Sequence, residues 1–501
     1  MIDRMELDPD ACYRALQTRD ARFDGKLFVA VKTTGIYCRP VCPARTPKRE
    51  NVAFHRTAAS AQEAGFRACL RCRPETSPQL GAWKGASNTV ARALRLIEAG
   101  ALDESDVETL AGRVGVGERQ LRRLFVEHLG ATPVGVAQTR RVLLAKQLIH
   151  ETDLPMAQVA LAAGFGSVRR FNETFQQLYD RPPAALRRRK AATVSPGEAV
   201  TLTLRYRPPY DWDAILEFLA MRAIPGVEVV ETGVYRRTIA LDGAVGTVSV
   251  RPAGGDRLAV AARFPKPSAL PRILARARGV FDLSADPIAI AEALSRDPLL
   301  GRIVARRPGL RVPGAWDGFE LAVRAILGQQ ITVAAARKLA GDLVAAHGTP
   351  LAAPFAEPGL THAFPSAEIL AQADLSGMKM PGARIRCLSG MARAVALDPD
   401  LLSPDASLPE MVARLRALPG IGEWTAQYIA MRQLREPDAF PAADVALMRA
   451  LADADGVRPT ADQLLARAEA WRPWRAYAAL HLWAFLGDED APPLRKVSRA
   501  A

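Results

Sequence analysis

Four cysteines stand in two close pairs, in GIYCRPVCPAR and FRACLRCRP. Three residues separate Cys38 from Cys42, two separate Cys69 from Cys72, and 26 lie between the pairs. Pairs this close let a loop and a turn each aim two sulfurs at one centre, and four thiolates satisfy the tetrahedral preference of zinc. Arg39, Arg45, Arg67, Arg71 and Arg73 stand around them, a positive charge that favours thiolate and attracts phosphate. On spacing alone a purely structural zinc is the plainer reading, and a disulfide pair fits less well. A second run, LPGIGEWTAQYIA at 418–430, ends one helix near Leu418 and starts another near Glu423. Gly420 and Gly422 keep side chains out of the turn, so backbone N–H groups can meet a phosphate there. A plain helical turn is the alternative.

The elements that must position these residues follow from periodicity. In 104–150, Leu110 and Val114 mark a short helix, Gly115-Val116-Gly117 a turn, and ERQLRRLFVEHL a second helix with Leu121, Leu124 and Phe125 on one face. Arg119, Arg122 and Arg123 project from the other face, as a major-groove helix requires. A long helix over roughly 134–150 leads to a second such unit at 154–188. There AGFGS is the turn, Phe171, Phe175 and Leu178 are the apolar face, and Arg169, Arg170 and Asn172 are the candidate DNA contacts. A helical protein-binding bundle is the alternative. The helical section ends in the basic run Arg187–Lys190, and the segment 191–199 reads as a linker that lets the two halves of the chain move independently. From Val200 the runs TLTLRYRPPYDW, RRTIAL and GTVSVRP alternate as strands do, and from about Trp316 to Leu486 the pattern is helical again.

The length of 501 residues predicts three or four domains, and 49% hydrophobic with 24% charged residues excludes wholesale disorder. The net charge of +14, concentrated in the first two fifths, points to a polyanionic partner. The N-terminus carries early acids and no apolar signal core, and no stretch is apolar enough to span a membrane. A thiol cluster in such a chain reads as a metal site in a reducing, cytoplasmic compartment. Cys12 and Cys387 read as ordinary buried thiols. No nucleotide, flavin or haem motif is present.

Three family resemblances rest on these motifs. Residues 1–82, with GIYCRP, the Phe-Arg before Cys69 and the closing Cys-x2-Cys, resemble the N-terminal domain of the Ada adaptive-response proteins. That resemblance implies zinc on Cys38, Cys42, Cys69 and Cys72, with Cys38 also accepting a methyl group from a DNA phosphotriester. Arg45 is a candidate DNA contact. The transfer is then stoichiometric and irreversible, and losing a negative charge tightens DNA binding. Residues 86–190 resemble the AraC-type DNA-binding domain, with Asp180 where the family form has Gly. From about 200 to 487 the chain resembles the helix-hairpin-helix DNA glycosylases of the AlkA type. The hairpin, DAFPAADVALMRAL, RPPYDWD at 207–213, AWDGFELAVRAILGQQITVAAA at 315–336 and WRPWRAYAALHLWAF at 471–485 carry it.

The last resemblance implies a catalytic carboxylate at Asp444 and pocket tryptophans at Trp424 and Trp483. Tyr428 and Trp316 belong to pocket or core. Ala443 replaces the neighbouring Asp of the closest family form. Trp424 stands where strand-cutting relatives place a lysine, which implies a monofunctional enzyme that leaves an abasic site. No cysteine follows Cys387, so the iron–sulfur cluster of some relatives is not expected. Nor is repair of O6-methylguanine, since no Pro-Cys-His-Arg run occurs.

The expected fold is multidomain: a small α/β zinc domain (1–82), an all-α double helix-turn-helix domain (86–190), a β-rich α+β subdomain (200–295) and an all-α helix-hairpin-helix core (296–490). The expected function is a methylation-responsive regulator joined to an alkylpurine glycosylase. It acts on double-stranded, alkylated and promoter DNA, with RNA polymerase as a partner, as a monomer. The alternatives are a glycosylase whose first domains only tether it to DNA, and a non-enzymatic DNA binder.

Overall fold

The computed structural model describes residues 8–78, 88–187, 198–403, 406–453 and 455–487. Arg188–Lys190 of the basic run and 191–197 of the linker lie outside the described residues.

In the first unit, helix α1 (Pro9–Gln17) begins at Asp8, whose carboxylate accepts from the Asp10 and Ala11 amides. Strands β1 (Phe28–Val31), β2 (Ile36–Cys38), β3 (Val52–His55) and β4 (Arg67–Ala68), with helix α2 (Ala58–Glu63) before β4, form a sheet in the order β3-β1-β2-β4. Its apolar residues, Phe28, Val29, Ala30, Tyr37 and Val52, are buried. Strand β4 runs parallel to β2 with Tyr37 opposite Ala68. That register sets Cys38 and Cys69 side by side at the ends of adjacent strands.

The second unit consists of α3 (Asn88–Glu98), α4 (Ala101–Glu104), α5 (Val107–Arg113), α6 (Glu118–Leu129), α7 (Pro133–Glu151), α8 (Met156–Ala162) and α9 (Val168–Tyr179). Both expected helix-turn-helix units are present. In α6 Leu121, Phe125 and Leu129 are buried, and in α9 Phe171, Phe175 and Tyr179 are buried. Side chains four residues apart share a helix face, so Arg119, Arg122, Arg123, Arg169, Arg170 and Asn172 are left exposed. Gly164, in the AGFGS turn, has φ +85°, and a Cβ there would lie 2.3 Å from an Asp103 carboxylate oxygen. Arg140 and Arg141 hold that carboxylate. Asp180 ends α9 with φ +53°. Asp is one of the few residues that enter this left-handed region readily, so the change from Gly is accommodated.

Strands β5 (Val200–Arg205), β6 (Glu228–Glu231), β7 (Val234–Leu241), β8 (Ala244–Pro252) and β9 (Arg257–Arg263) build an antiparallel sheet in the order β5-β9-β8-β7-β6. Helices α10 (Trp212–Arg222) and α11 (Leu270–Val280) accompany it. Next come α12 (Pro287–Leu294), α13 (Pro298–Arg306), α14 (Gly318–Leu327), α15 (Val333–His347), α16 (Ala367–Gln372), α17 (Gly382–Leu397), α18 (Leu408–Arg416), α19 (Glu423–Arg432), α20 (Val445–Ala450), α21 (Ala461–Ala468) and α22 (Arg475–Gly487). A short strand pair, Thr349–Pro350 with His362–Ala363, interrupts them and was not anticipated from the sequence.

The independent movement expected of the two halves is not what the structure shows. A single apolar core runs from α7, α8 and α9 into the five-stranded sheet, joining Phe171 and Phe175 to Leu202, Leu204, Tyr235 and Phe281. Glu151 accepts from the Thr203 amide (2.8 Å) and hydroxyl (3.0 Å), and Gln147 donates to the Thr203 carbonyl (2.7 Å). The composition of a connecting segment carries no information about the faces it brings together. Here the faces are apolar, and burying them drives docking.

Candidate active site and metal centre

The four cysteine sulfurs lie within 4.8 Å of one another. Tetrahedral zinc with sulfur at about 2.3 Å sets its ligands about 3.8 Å apart, so the cluster fits the ion. Cys42, Cys69 and Cys72 are buried and Cys38 is half-buried, so Cys38 is the sulfur that a surface ligand can reach. Hydrogen bonding from Cys38 pulls the Cys42 and Cys69 thiols down, while bonding to its neighbours pushes Cys38 up. Four thiols this close cannot all ionise without a shared cation. Backbone amides support the set: Arg39 N–H donates to Cys72 Sγ at 3.4 Å, and Arg71 N–H to Cys69 Sγ at 3.3 Å.

The surrounding arginines divide. Arg45 and Arg71 are exposed. Arg39 is buried against Asp24 and donates to the Cys72 carbonyl, and Arg73 ties Glu75 to Glu151 at 2.9 Å. Arg67 lies over the Tyr179 ring at 5.8 Å. Two of the five are therefore fasteners rather than parts of a surface field.

The C-terminal site starts from the hairpin between α18 and α19. Gly420 has φ +86°, and a Cβ there would meet Cys387 Sγ at 2.8 Å. Its carbonyl accepts from Gln329 at 3.1 Å. Ile421 is buried and anchors the turn, while Gly420 and Gly422 are exposed. Their amides donate to no acceptor among the described residues. Asp444 caps α20. Its Oδ1 accepts from the Leu447 amide (2.9 Å) and the Trp483 indole (3.1 Å), and its Oδ2 accepts from the Trp424 indole at 2.8 Å. Three neutral N–H groups thus fix the carboxylate. No cationic side chain pairs with it among the described residues, so its negative charge is left for whatever faces it. It opens on a cleft of about 670 Å³.

Beyond Asp444 the cleft wall is aromatic and basic. Trp424 stacks on Tyr428, with ring centroids 5.1 Å apart and planes 9° from parallel. Arg432 donates to the Tyr428 hydroxyl at 2.8 Å. Burial alone would raise the Tyr428 phenol, but the Arg432 and Arg222 guanidiniums outweigh it and hold the phenol below its usual range. Trp316 is packed at the floor beneath Arg237 (5.3 Å) and Arg276 (5.8 Å).

Four family models match in chain order. They are the metal binding domain of Ada over 11–75, a helix-turn-helix domain over 110–189, the AlkA N-terminal domain over 201–317, and the HhH-GPD superfamily base excision DNA repair protein over 323–476. A "Probable bifunctional transcriptional activator/DNA repair enzyme AlkA" of Mycobacterium tuberculosis is 44% identical over 501 residues, 99% of this chain and 100% of its own. The chain belongs to this family of bifunctional activator/repair enzymes. The DNA-3-methyladenine glycosylase 2 of Escherichia coli is 36% identical over 286 residues, 56% of this chain and 96% of its own. A solved 3-methyladenine DNA-glycosylase from Archaeoglobus fulgidus superposes with a TM-score of 0.51 at 23% identity, over 56% of this chain and 97% of its own, which is a likeness of fold.

Within this AlkA-type chain, the structure gathers Asp444, Trp424, Trp483 and Tyr428 in one cleft, with Gly420 and Gly422 in the turn that leads into α19. It gathers Cys38, Cys42, Cys69 and Cys72 in another centre. The six recognition-helix residues are exposed on the two expected helices, although Arg122 pairs with Glu118 at 2.6 Å and Arg169 with Glu173 at 2.8 Å. Cys12 and Cys387 are buried, and burial pushes both thiols up. Among the described residues, the four cysteines are the single cluster placed to hold a metal. No described helix is long and apolar enough to cross a membrane. The sequence reading missed Arg222, Phe218 and Arg432 in the cleft wall, and the buried set Glu228, Arg237, Glu320 and Arg324 behind it. Only the helical spacing of Arg432 after Tyr428 hinted at any of them.

Proposed function

We propose that the chain senses methylated DNA phosphates at Cys38, activates transcription, and removes alkylated purines such as 3-methyladenine through Asp444. The carboxylate held by two indole N–H groups in a cleft beside the hairpin carries the repair reading. The base leaves with the electrons of its bond to the sugar, and positive charge develops on the sugar. A fixed, uncompensated carboxylate is placed to stabilise it. Reaching that carboxylate requires the nucleotide to swing out of the duplex. Water then completes the hydrolysis and an abasic site remains. Trp424 and Trp483 position the carboxylate and offer aromatic faces to a cationic base. The amides of Gly420 and Gly422 face the DNA backbone. Release of 3-methyladenine from methylated DNA, lost in Asp444→Asn, tests this. No release by the unsubstituted chain overturns it.

At the other centre Cys38, Cys42, Cys69 and Cys72 would hold zinc, which would keep the Cys38 thiol deprotonated at neutral pH yet nucleophilic. Cys38 Sγ attacks the methyl carbon, an S–C bond forms, the C–O bond breaks, and the DNA phosphodiester leaves as its anion. Cys42, Cys69 and Cys72 complete the ligand set, and Arg45 contacts DNA. Peptide mass analysis after exposure to methyl phosphotriester DNA is expected to place one methyl group on Cys38. An unmodified Cys38 leaves a structural zinc only. We assign the helix-turn-helix region to the AraC type, with Arg119, Arg122, Arg123, Arg169, Arg170 and Asn172 toward promoter DNA. We further assign the divisions 1–82, 86–190, 200–295 and 296–490, RNA polymerase as partner, a monomeric state and a cytoplasmic location.

A further inference from the structure

Six arginines line the Asp444 cleft; Arg337 and Arg449 are exposed, and the four that are not differ in how they are balanced. Arg237 donates to Glu320 at 2.6 Å, and Arg324 pairs with both Glu228 and Glu320, so these two are neutralised. Arg432 donates to the Pro313 and Gly314 carbonyls and to the Tyr428 hydroxyl, which fixes it as a strut. Arg222 is the exception. It ends α10 and lies over the Phe218 ring at 3.8 Å. Its protein acceptor among the described residues is the Phe218 carbonyl at 3.3 Å. No carboxylate pairs with it among the described residues. A guanidinium has five N–H donors, so donors remain, on a side chain that lines the cleft. A half-buried cation without an anionic partner is costly, and a further acceptor recovers part of that cost.

The order of groups along the wall says which acceptor. The nucleotide sugar belongs at Asp444. From that carboxylate the lining runs through Trp424 and the stacked Tyr428 to Arg432, which lies over both the Tyr428 ring (5.4 Å) and the Phe218 ring (4.9 Å), and from Phe218 to Arg222. A base lying along this wall turns its edge farthest from the sugar toward Arg222. In a purine that edge carries the group on ring position 6, a carbonyl acceptor in guanine and an amino donor in adenine. We propose that Arg222 is a specificity-determining residue that donates to the 6-carbonyl oxygen of an extruded guanine-type lesion. It thereby favours 7-methylguanine over adenine-derived bases. The assignment rests on the glycosylase reading above. It goes beyond that reading by naming the residue that discriminates 6-oxo from 6-amino purines.

The test uses the full zinc-loaded chain and DNA treated with a methylating agent, with 7-methylguanine and 3-methyladenine quantified in the same reaction. Both lesions carry one positive charge, so general repulsion by the guanidinium cancels in their ratio and the 6-substituent remains. In Arg222→Met, release of 7-methylguanine is expected to fall at least about 10-fold further than release of 3-methyladenine, the usual worth of a hydrogen bond to a charged group. A ratio unchanged from the parent chain, whether both rates fall together or neither falls, overturns the assignment. If Arg222→Met fails to fold, Arg222→Lys decides by the same ratio, since it keeps the charge but loses the planar fork. Release of neither base by the unsubstituted chain overturns the glycosylase reading itself, and is thereby told apart from a ratio that does not move.

Discussion

The metal centre and the Asp444 cleft are built in opposite ways. All four sulfurs come from 35 consecutive residues, at the ends of two adjacent strands and the turns that follow them. The cleft takes Arg222 from α10, Glu320 from α14, Trp424 and Tyr428 from α19, the cap of α20 and Trp483 from α22. A local site depends on its ion to hold it together. A dispersed site depends on the core beneath it, here continuous through α14, α17, α19 and α22. The two should therefore fail under different insults.

The largest difference is expected on removing the metal. A structural zinc site supplies on the order of 10 kcal/mol of folding free energy. Chelation should unfold the Cys38 region and abolish methyl acceptance while 3-methyladenine release stays within about 10-fold. Loss of both activities together would merge the two centres into one cooperative unit. Next comes Asp444→Asn, expected to lower base release by about 100-fold or more, the scale of removing a fixed electrostatic partner of a transition state. Methylation of Cys38, read by peptide mass, should be unaffected.

Acid should separate the halves as well. His481 on α22 is buried, its Nδ1 has no partner among the described residues, and burial pushes it down to about 4. An unfolded histidine protonates near pH 6.5. Between about pH 6.5 and 4 the unfolded chain therefore takes up the proton first. The stability in question is complete above pH 6.5 and is lost as pH falls toward 4, up to roughly 3 kcal/mol. Denaturant midpoints of His481→Leu should show a flatter acid limb in the glycosylase half. The smallest effect is expected from Trp483→Phe, which removes one of three donors to Asp444 and should cost about 10-fold in base release. A fall equal to that of Asp444→Asn would show that the indole holds the carboxylate in place by itself.

How far each centre could be read from the sequence follows the same division. Cys38 to Cys72, the two helix-turn-helix units and the 418–424 turn declare themselves through short spacings, because chain geometry over a few residues fixes where those atoms lie. Asp444, Trp424 and Trp483 were found through resemblance. Residue types alone do not reveal that both indoles donate to one carboxylate 20 and 39 positions away. Arg222 gave no signal, since an arginine closing an amphipathic helix looks like any solvated terminus until Phe218 and Tyr428 are placed beside it. The core shared by α9 and the five-stranded sheet escaped for the same reason. Phe171 read as part of an apolar helix face and the run from Val200 as an alternating strand, but nothing local said what each packs against.

That shared core bears on how the protein can be taken apart. A fragment beginning at Val200 would lose α7 from beside β5, and one ending at Leu186 would lose β5 from beside α7, each leaving part of the shared core open to water. Each would be sticky alone, and mixed together they should reassemble as complementary pieces, much as a split reporter does. The gene fusion has gone beyond tethering two working parts: each half now serves as the missing wall of the other.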